Sequence, residues 1–160
     1  MFNIGDKIVY PMHGAGEIVA IEEREILGDV HKYYIMRLPI NDLKVMVPVK
    51  NAKEIGVRDI SDADTMEKVL KALSSEEKVS MPKNWNRRYR YNLDKIKSGD
   101  LMEIADVVRS LESLDREKSL STGERKILNE AKQIIVSEMV LVFEKNVEEV
   151  TKLIDDAIFG

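Results

Sequence analysis

The chain contains no cysteine, which removes disulfides, thiolate metal sites and cysteine nucleophiles together. Histidine is nearly absent as well. His13 and His31 are the only two, and neither has a partner at metal-ligand spacing. His13, beside a glycine turn, reads as a turn or partly buried residue; His31 reads as an exposed residue opening a strand. Long apolar runs are missing: the longest, Met139 to Phe143, falls far short of the roughly 20 residues that cross a bilayer. The opening MFNIGDKIVYP lacks the basic-then-apolar layout of a signal peptide. A soluble cytoplasmic protein with no membrane association is expected.

Catalytic constellations are missing too. Gly14-Ala15-Gly16 lacks the third glycine and the following helix of a phosphate-binding fingerprint, so it reads as a turn. The pairs Glu22-Glu23, Glu76-Glu77, Glu148-Glu149 and Asp155-Asp156 read as solvated faces, because paired catalytic carboxylates need a pocket that separates their pKa values. We expect no enzyme, no cofactor and no metal.

At 160 residues the chain suits one domain or two small ones. Its formal charge of −4 argues against a protein that coats DNA indiscriminately. A local basic face stays possible, since salt confines each charge to about 8–10 Å.

Texture divides the chain. The first sixty residues hold five of the eight glycines and three of the four prolines. Short β-rich runs alternate there with turn residues: KIVYP, GEIVAIEEREI, HKYYIMRL and KVMVPV. Val45, Val47 and Val49 alternate, so they share one face and Met46 takes the other. Pro48 marks an edge strand, since proline cannot donate to a central ladder. From Ser61 onward the apolar period is helical: Met66, Val69, Leu70, Leu73; then Leu101, Ile104, Val107, Val108, Leu111, Leu114; then Ile127, Ala131, Ile134, Ile135, Met139, Val142; then Val147, Val150, Ile154, Ala157, Ile158. Ser121 to Glu124 and Asn146 to Glu149 have capping-box spacing, and Ser98-Gly99 is a helix stop. The polar SSEEKVSMPK, 74–83, reads as a loop. The expected fold is α+β: a small β-barrel or bent sheet over 1–59, then about five helices over 60–160.

One stretch departs from the acidic background. KNWNRRYRYNL, 83–93, holds the sole tryptophan, two tyrosines and four cations, with no acid. On a helix starting near Asn84, Tyr89, Leu93 and Ile96 can form the core stripe, leaving Trp85 at the exposed N-terminal end. The residues alone favour burial of Trp85 slightly, since a lone tryptophan in a helical protein is usually largely buried. An exposed tryptophan among Arg87, Arg88 and Arg90 would instead suit nucleic acid, with guanidinium groups on phosphates and the ring against a base. Arg125-Lys126 forms a second small basic cluster.

These motifs carry a resemblance. Ile4-Gly5-Asp6, IVYPMHGAGEIVAIE (Ile8 to Glu22) and VPVKNAKEIGVRD (Val47 to Asp59) are similar to the CarD family of bacterial transcription regulators. So are PKNWNRRYRYNLDKIKSGD (Pro82 to Asp100), EIADVVRSL (Glu103 to Leu111) and LSTGERKILNEAKQIIVSE (Leu120 to Glu138). The resemblance covers nearly the whole chain in order. It implies a Tudor-like N-terminal domain that binds the RNA polymerase β subunit and a helical domain that contacts promoter DNA near the −10 region. Its members stabilise the open promoter complex, with a tryptophan wedged in the minor groove at the upstream edge of the bubble.

Carried over by residue, Trp85 is the wedge; Arg87, Arg88, Arg90 and Arg125 match basic positions near the DNA backbone, and Lys126 joins them by adjacency. Arg24 matches an interface arginine on the polymerase side. Met46 stands where some members have a second arginine, which puts a salt bridge there in doubt but leaves an adaptable apolar contact. The expected function is a polymerase-bound, monomeric stabiliser of open promoter DNA, associated with the nucleoid through polymerase. The alternative is a polymerase-bound adaptor whose helical domain binds another protein.

Overall fold

The computed structural model describes residues 1–77 and 80–160. It is α+β, as the change of period at Ser61 predicts. Five strands form one antiparallel sheet: β1 (Lys7–Tyr10), β2 (Gly14–Ile26), β3 (Asp29–Arg37), β4 (Lys44–Pro48) and β5 (Arg58–Asp59). The short helix α1 (Ala52–Ile55) interrupts the strands before β5. The helices α2 (Ala63–Leu73), α3 (Trp85–Lys97), α4 (Leu101–Glu117), α5 (Thr122–Phe143) and α6 (Val147–Phe159) follow. Strand order is β4-β3-β2-β1-β5, an open sheet and so the bent-sheet form of the expectation rather than a closed barrel. Pro48 lies on the edge strand β4. The 74–83 loop includes positions 78 and 79, which lie outside the described residues.

The pleat explains the first core. Ile8, Ile18, Tyr34, Met36 and Val47 point to one side of the sheet and gather with Ala52 and Val57. Val45 and Val49 pack against this cluster at its rim, on the same face as Val47. A register shift between Ile18 and Ala20 bends β2, and its far half leaves the body of the sheet. From Glu23 to Ile26 it pairs with Lys32 to Asp29 of β3, down to the turn at Leu27-Gly28.

One detail corrects the sequence reading, while His13 does lie in a turn. Gly14 to Gly16 begin β2, and the turn lies just before them at Pro11 to His13. Glycine is required at 16 because a Cβ there would stand 2.6 Å from the Arg37 carbonyl oxygen across the ladder. His13 is exposed and stacks on Tyr10, ring centroids 4.4 Å apart. Helix α1, within KNAKEIG, is too short to show a period.

The second core lies among α2, α3, α4, α5 and α6, and the expected stripes supply it. Helix α5 is buried on most of its circumference: Leu128 and Val136 join the third stripe, as a central helix requires.

A polar seam joins the two cores. The Ala15 N–H donates to Ser137 Oγ at 2.8 Å. The Arg58 guanidinium grips the Glu138 carboxylate with two bonds of 3.0 and 2.9 Å, and the Ser61 N–H donates to the same carboxylate at 2.8 Å. Glu138 is fully buried, so these three donors replace the water its charge has lost.

Candidate nucleic-acid interface

Helix α3 starts where Asn84 caps it, its side-chain oxygen accepting from the Arg87 N–H at 3.2 Å. Its first turn holds no acid, so the positive end of the helix dipole is uncompensated by a carboxylate of its own. Ile96 and Asn92 are buried, while Tyr89 and Leu93 pack at the rim of the helical core. That leaves Trp85, the first residue of the helix, 46% exposed. The slight preference for burial that composition gives is therefore overturned, because a stripe beginning at Tyr89 satisfies the core without it.

Exposure does not mean freedom. The Trp85 ring stacks on Tyr89 at 5.7 Å between centroids and 28° between planes. Its Nε1–H donates to Ser121 Oγ, 2.9 Å away, at the N-cap of α5. Gly123 makes room for this pair: a Cβ there would lie 3.2 Å from Tyr89 Cε2 and 4.0 Å from Trp85 Cζ2.

The arginines divide by role. Arg87 and Arg90 are exposed and, among the described residues, have no ion-pair partner; Lys126 is the same. Arg125 is half-exposed and bonds Asp115 at 2.9 Å. Arg88 lies differently. Its Nε and Nη2 donate to Glu124 at 2.7 and 3.1 Å, its Nη1 donates to the Lys83 carbonyl at 3.1 Å, and the side chain is 16% exposed. It is engaged inside the protein and presents little to a phosphate.

Glu124 explains that engagement. The capping-box spacing predicts a carboxylate turned back to its own cap; Ser121 does accept from the Glu124 N–H, but the carboxylate is directed chiefly at Arg88. Hydrogen bonds from Arg88 hold the Glu124 carboxyl below the ordinary carboxylate range, against the opposing effect of burial. The same bond raises the Arg88 guanidinium. By contrast the second expected capping box, Asn146 with Glu149, is fully formed.

Arg90, Arg125 and Lys126 line two shallow grooves. One, about 550 Å³, is lined by Asn86, Tyr89, Arg90, Leu93, Asp94 and Lys97. The other, about 440 Å³, includes Thr122, Arg125, Lys126, Asn129 and Gln133. Both are open surfaces bearing Arg or Lys on the two helices that Trp85 and Ser121 join.

The sheet places the other pair of candidates. Arg24 stands opposite His31 and Met46 opposite Ile35, while Tyr33 pairs with both Glu22 and Pro48. Alternate residues of β3 share a face, so Arg24, Glu22 and Met46 lie on one side of the sheet, away from Tyr34 and Met36. His31 is exposed, as expected. Arg24 bonds Glu22 at 2.6 Å and is half-exposed; Met46 is 41% exposed. The sheet thus puts both residues on one accessible face, about 13 Å apart along the strand direction.

Sequence reasoning missed Ser121 as a partner of the indole and Arg58–Glu138 as the joint. The cap motif at Ser121 was the available signal for the first. Nothing in spacing signals a pair eighty positions apart.

The family model described as CarD-like/TRCF RID domain matches residues 2–61, and the one described as CarD, C-terminal domain matches residues 68–155. YdeB of Bacillus subtilis (strain 168), named as a transcription factor, is 39% identical over 142 residues, covering 89% of this chain and 92% of that protein. The transcription-repair-coupling factor of Staphylococcus haemolyticus (strain JCSC1435) is 30% identical over 121 residues, 76% of this chain but 9% of that protein. With a model matching each half and a relative aligned along nearly all of its length, the chain belongs to the CarD family of transcription regulators.

Proposed function

We propose that the protein binds the RNA polymerase β subunit through residues 1–59 and stabilises the open promoter complex through residues 60–160. Trp85 acts as a minor-groove wedge at the upstream edge of the bubble, near the −10 region. One observation carries this reading: the sole tryptophan is exposed at a helix N-terminus, yet held in one orientation by Ser121 and Tyr89. A side chain needed only for packing would be covered, and one left over would be loose.

The cations fall into place around it. Arg87, Arg90, Lys126 and the half-exposed Arg125 face phosphate, while Arg88 supports the wedge from inside. A wedge selects poorly among bases, and a recognition helix would need several polar side chains in the major groove. Promoter choice then follows how readily each bubble collapses. On the other side, Arg24 and Met46 share the face that meets polymerase, and the unpaired edge of β4 offers a place for strand addition. Tethering supplies effective concentration, so a net charge of −4 is no obstacle.

The test is open-complex lifetime with polymerase. Trp85→Ala is expected to shorten it while leaving fold and polymerase binding unchanged; a marked loss of stability would mean that Trp85 is a packing residue. Arg88 and Arg125 are already paired within the protein, which favours the rival adaptor reading. Salt separates the two. Phosphate contacts make the stabilisation fall steeply with ionic strength, and a helix-groove contact with a protein does not.

A further inference from the structure

Beyond the wedge itself, we infer that Ser121, Glu124 and Arg88 form a positioning relay that sets the orientation of the Trp85 indole; this rests on the function proposed above. The chain of bonds is continuous. Trp85 Nε1–H donates to Ser121 Oγ at 2.9 Å, Ser121 Oγ–H donates to Glu124 Oε1 at 3.1 Å, and both carboxylate oxygens accept from Arg88. Arg88 closes the circuit by donating to the Lys83 carbonyl, two residues before Trp85.

Ser121, at the centre of the relay, is used to capacity. A hydroxyl has one donor and two acceptor sites, and Ser121 fills all three with Trp85, Glu124 and the Glu124 backbone N–H. With its proton committed to the carboxylate, the hydroxyl must turn its lone pairs outward, where the indole N–H meets one. Glu124 is 2% exposed and cannot reorient without losing Arg88. The stack on Tyr89 fixes the ring from one face, and the Ser121 bond fixes its rotation in the plane.

A rigid indole matters because a wedge must oppose reannealing without first losing its own rotational freedom. Preorganisation lowers that cost of binding. Arg88 and Glu124 therefore act through Ser121 on Trp85, rather than on DNA.

The sole tryptophan makes the relay directly observable. In the intact protein, Ser121→Gly removes the hydroxyl while keeping an acceptable N-cap. Time-resolved fluorescence anisotropy of the free protein is expected to show fast indole motion in Ser121→Gly, and Ser121→Thr is expected to restore the slow decay. Open-complex lifetime with polymerase should shorten about three- to tenfold in Ser121→Gly, the effect of losing one hydrogen bond, and recover in Ser121→Thr. Unchanged anisotropy in Ser121→Gly would overturn the relay. So would a freed indole with an unchanged open-complex lifetime, if Trp85→Ala shortens that lifetime. If Trp85→Ala itself leaves the lifetime unaltered, the wedge reading fails, and the anisotropy decay alone still decides whether the relay orients the ring.

Discussion

Arg58 and Glu138 are eighty residues apart and form a two-bond ion pair that joins the last strand of the sheet to the longest helix. The carboxylate is fully buried, whereas the guanidinium is about one-third exposed. Removal of Arg58 therefore strands a charge, and removal of Glu138 does not. Arg58→Ala is expected to cost about 3 kcal/mol, with Glu138→Gln milder. Urea denaturation of the two variants checks the order; equal losses would contradict it.

Acid sensitivity should show at Glu124. Its carboxyl is depressed below the ordinary range by Arg88, so the stabilisation is present above the unfolded value of about 4.3 and disappears as pH falls through the lower folded value. Wild type should exceed Glu124→Gln by roughly 1–3 kcal/mol near pH 7, and the gap should close at strongly acidic pH. Thermal melts of both proteins across that range measure it. The raised Arg88 guanidinium adds no pH dependence there, because arginine stays charged throughout.

Gly14 adopts φ 102°, and a Cβ would stand 2.6 Å from Ser137 Oγ. Gly28 has φ 84° with open space around it. Gly28→Ala then measures backbone strain alone, about 1 kcal/mol. Gly14→Ala adds a clash at the seam and should cost about 3 kcal/mol. Denaturation midpoints of the pair separate strain from contact.

On the proposed function, Arg24→Glu combined with Met46→Glu should abolish polymerase recruitment, because both residues lie on one face of the sheet. The helical core, remote from that change, should keep its cooperative unfolding. Pull-down with polymerase is the measurement, and normal capture of the double variant would refute this face.

Local chemistry explains what was legible in the sequence. Periodicity found every stripe of the helical core, and Pro48 found the edge strand, because both depend on neighbours within a few residues. Asn146 and Glu149 formed their capping box for the same reason. At Ser121 the identical spacing gave a half-box, since Arg88 competes for the carboxylate from another helix. Arg88 reads in the sequence as a DNA-backbone cation, and spacing gives no sign that in the fold it pairs with Glu124 of another helix. The status of Trp85 depended on whether Tyr89, Leu93 and Ile96 could complete a core without it, which only packing decides.

Helix α5 has a further consequence. Its first turn carries Ser121 and Glu124, which hold Trp85; sixteen residues on, Ser137 and Glu138 fasten it to the sheet. At 1.5 Å per residue that is a rod of roughly 24 Å with a joint at each end. On the proposed function, such a molecule works as a gauge. Once polymerase fixes one end, the place where the indole meets the duplex is set by a length of helix and not by any base it reads.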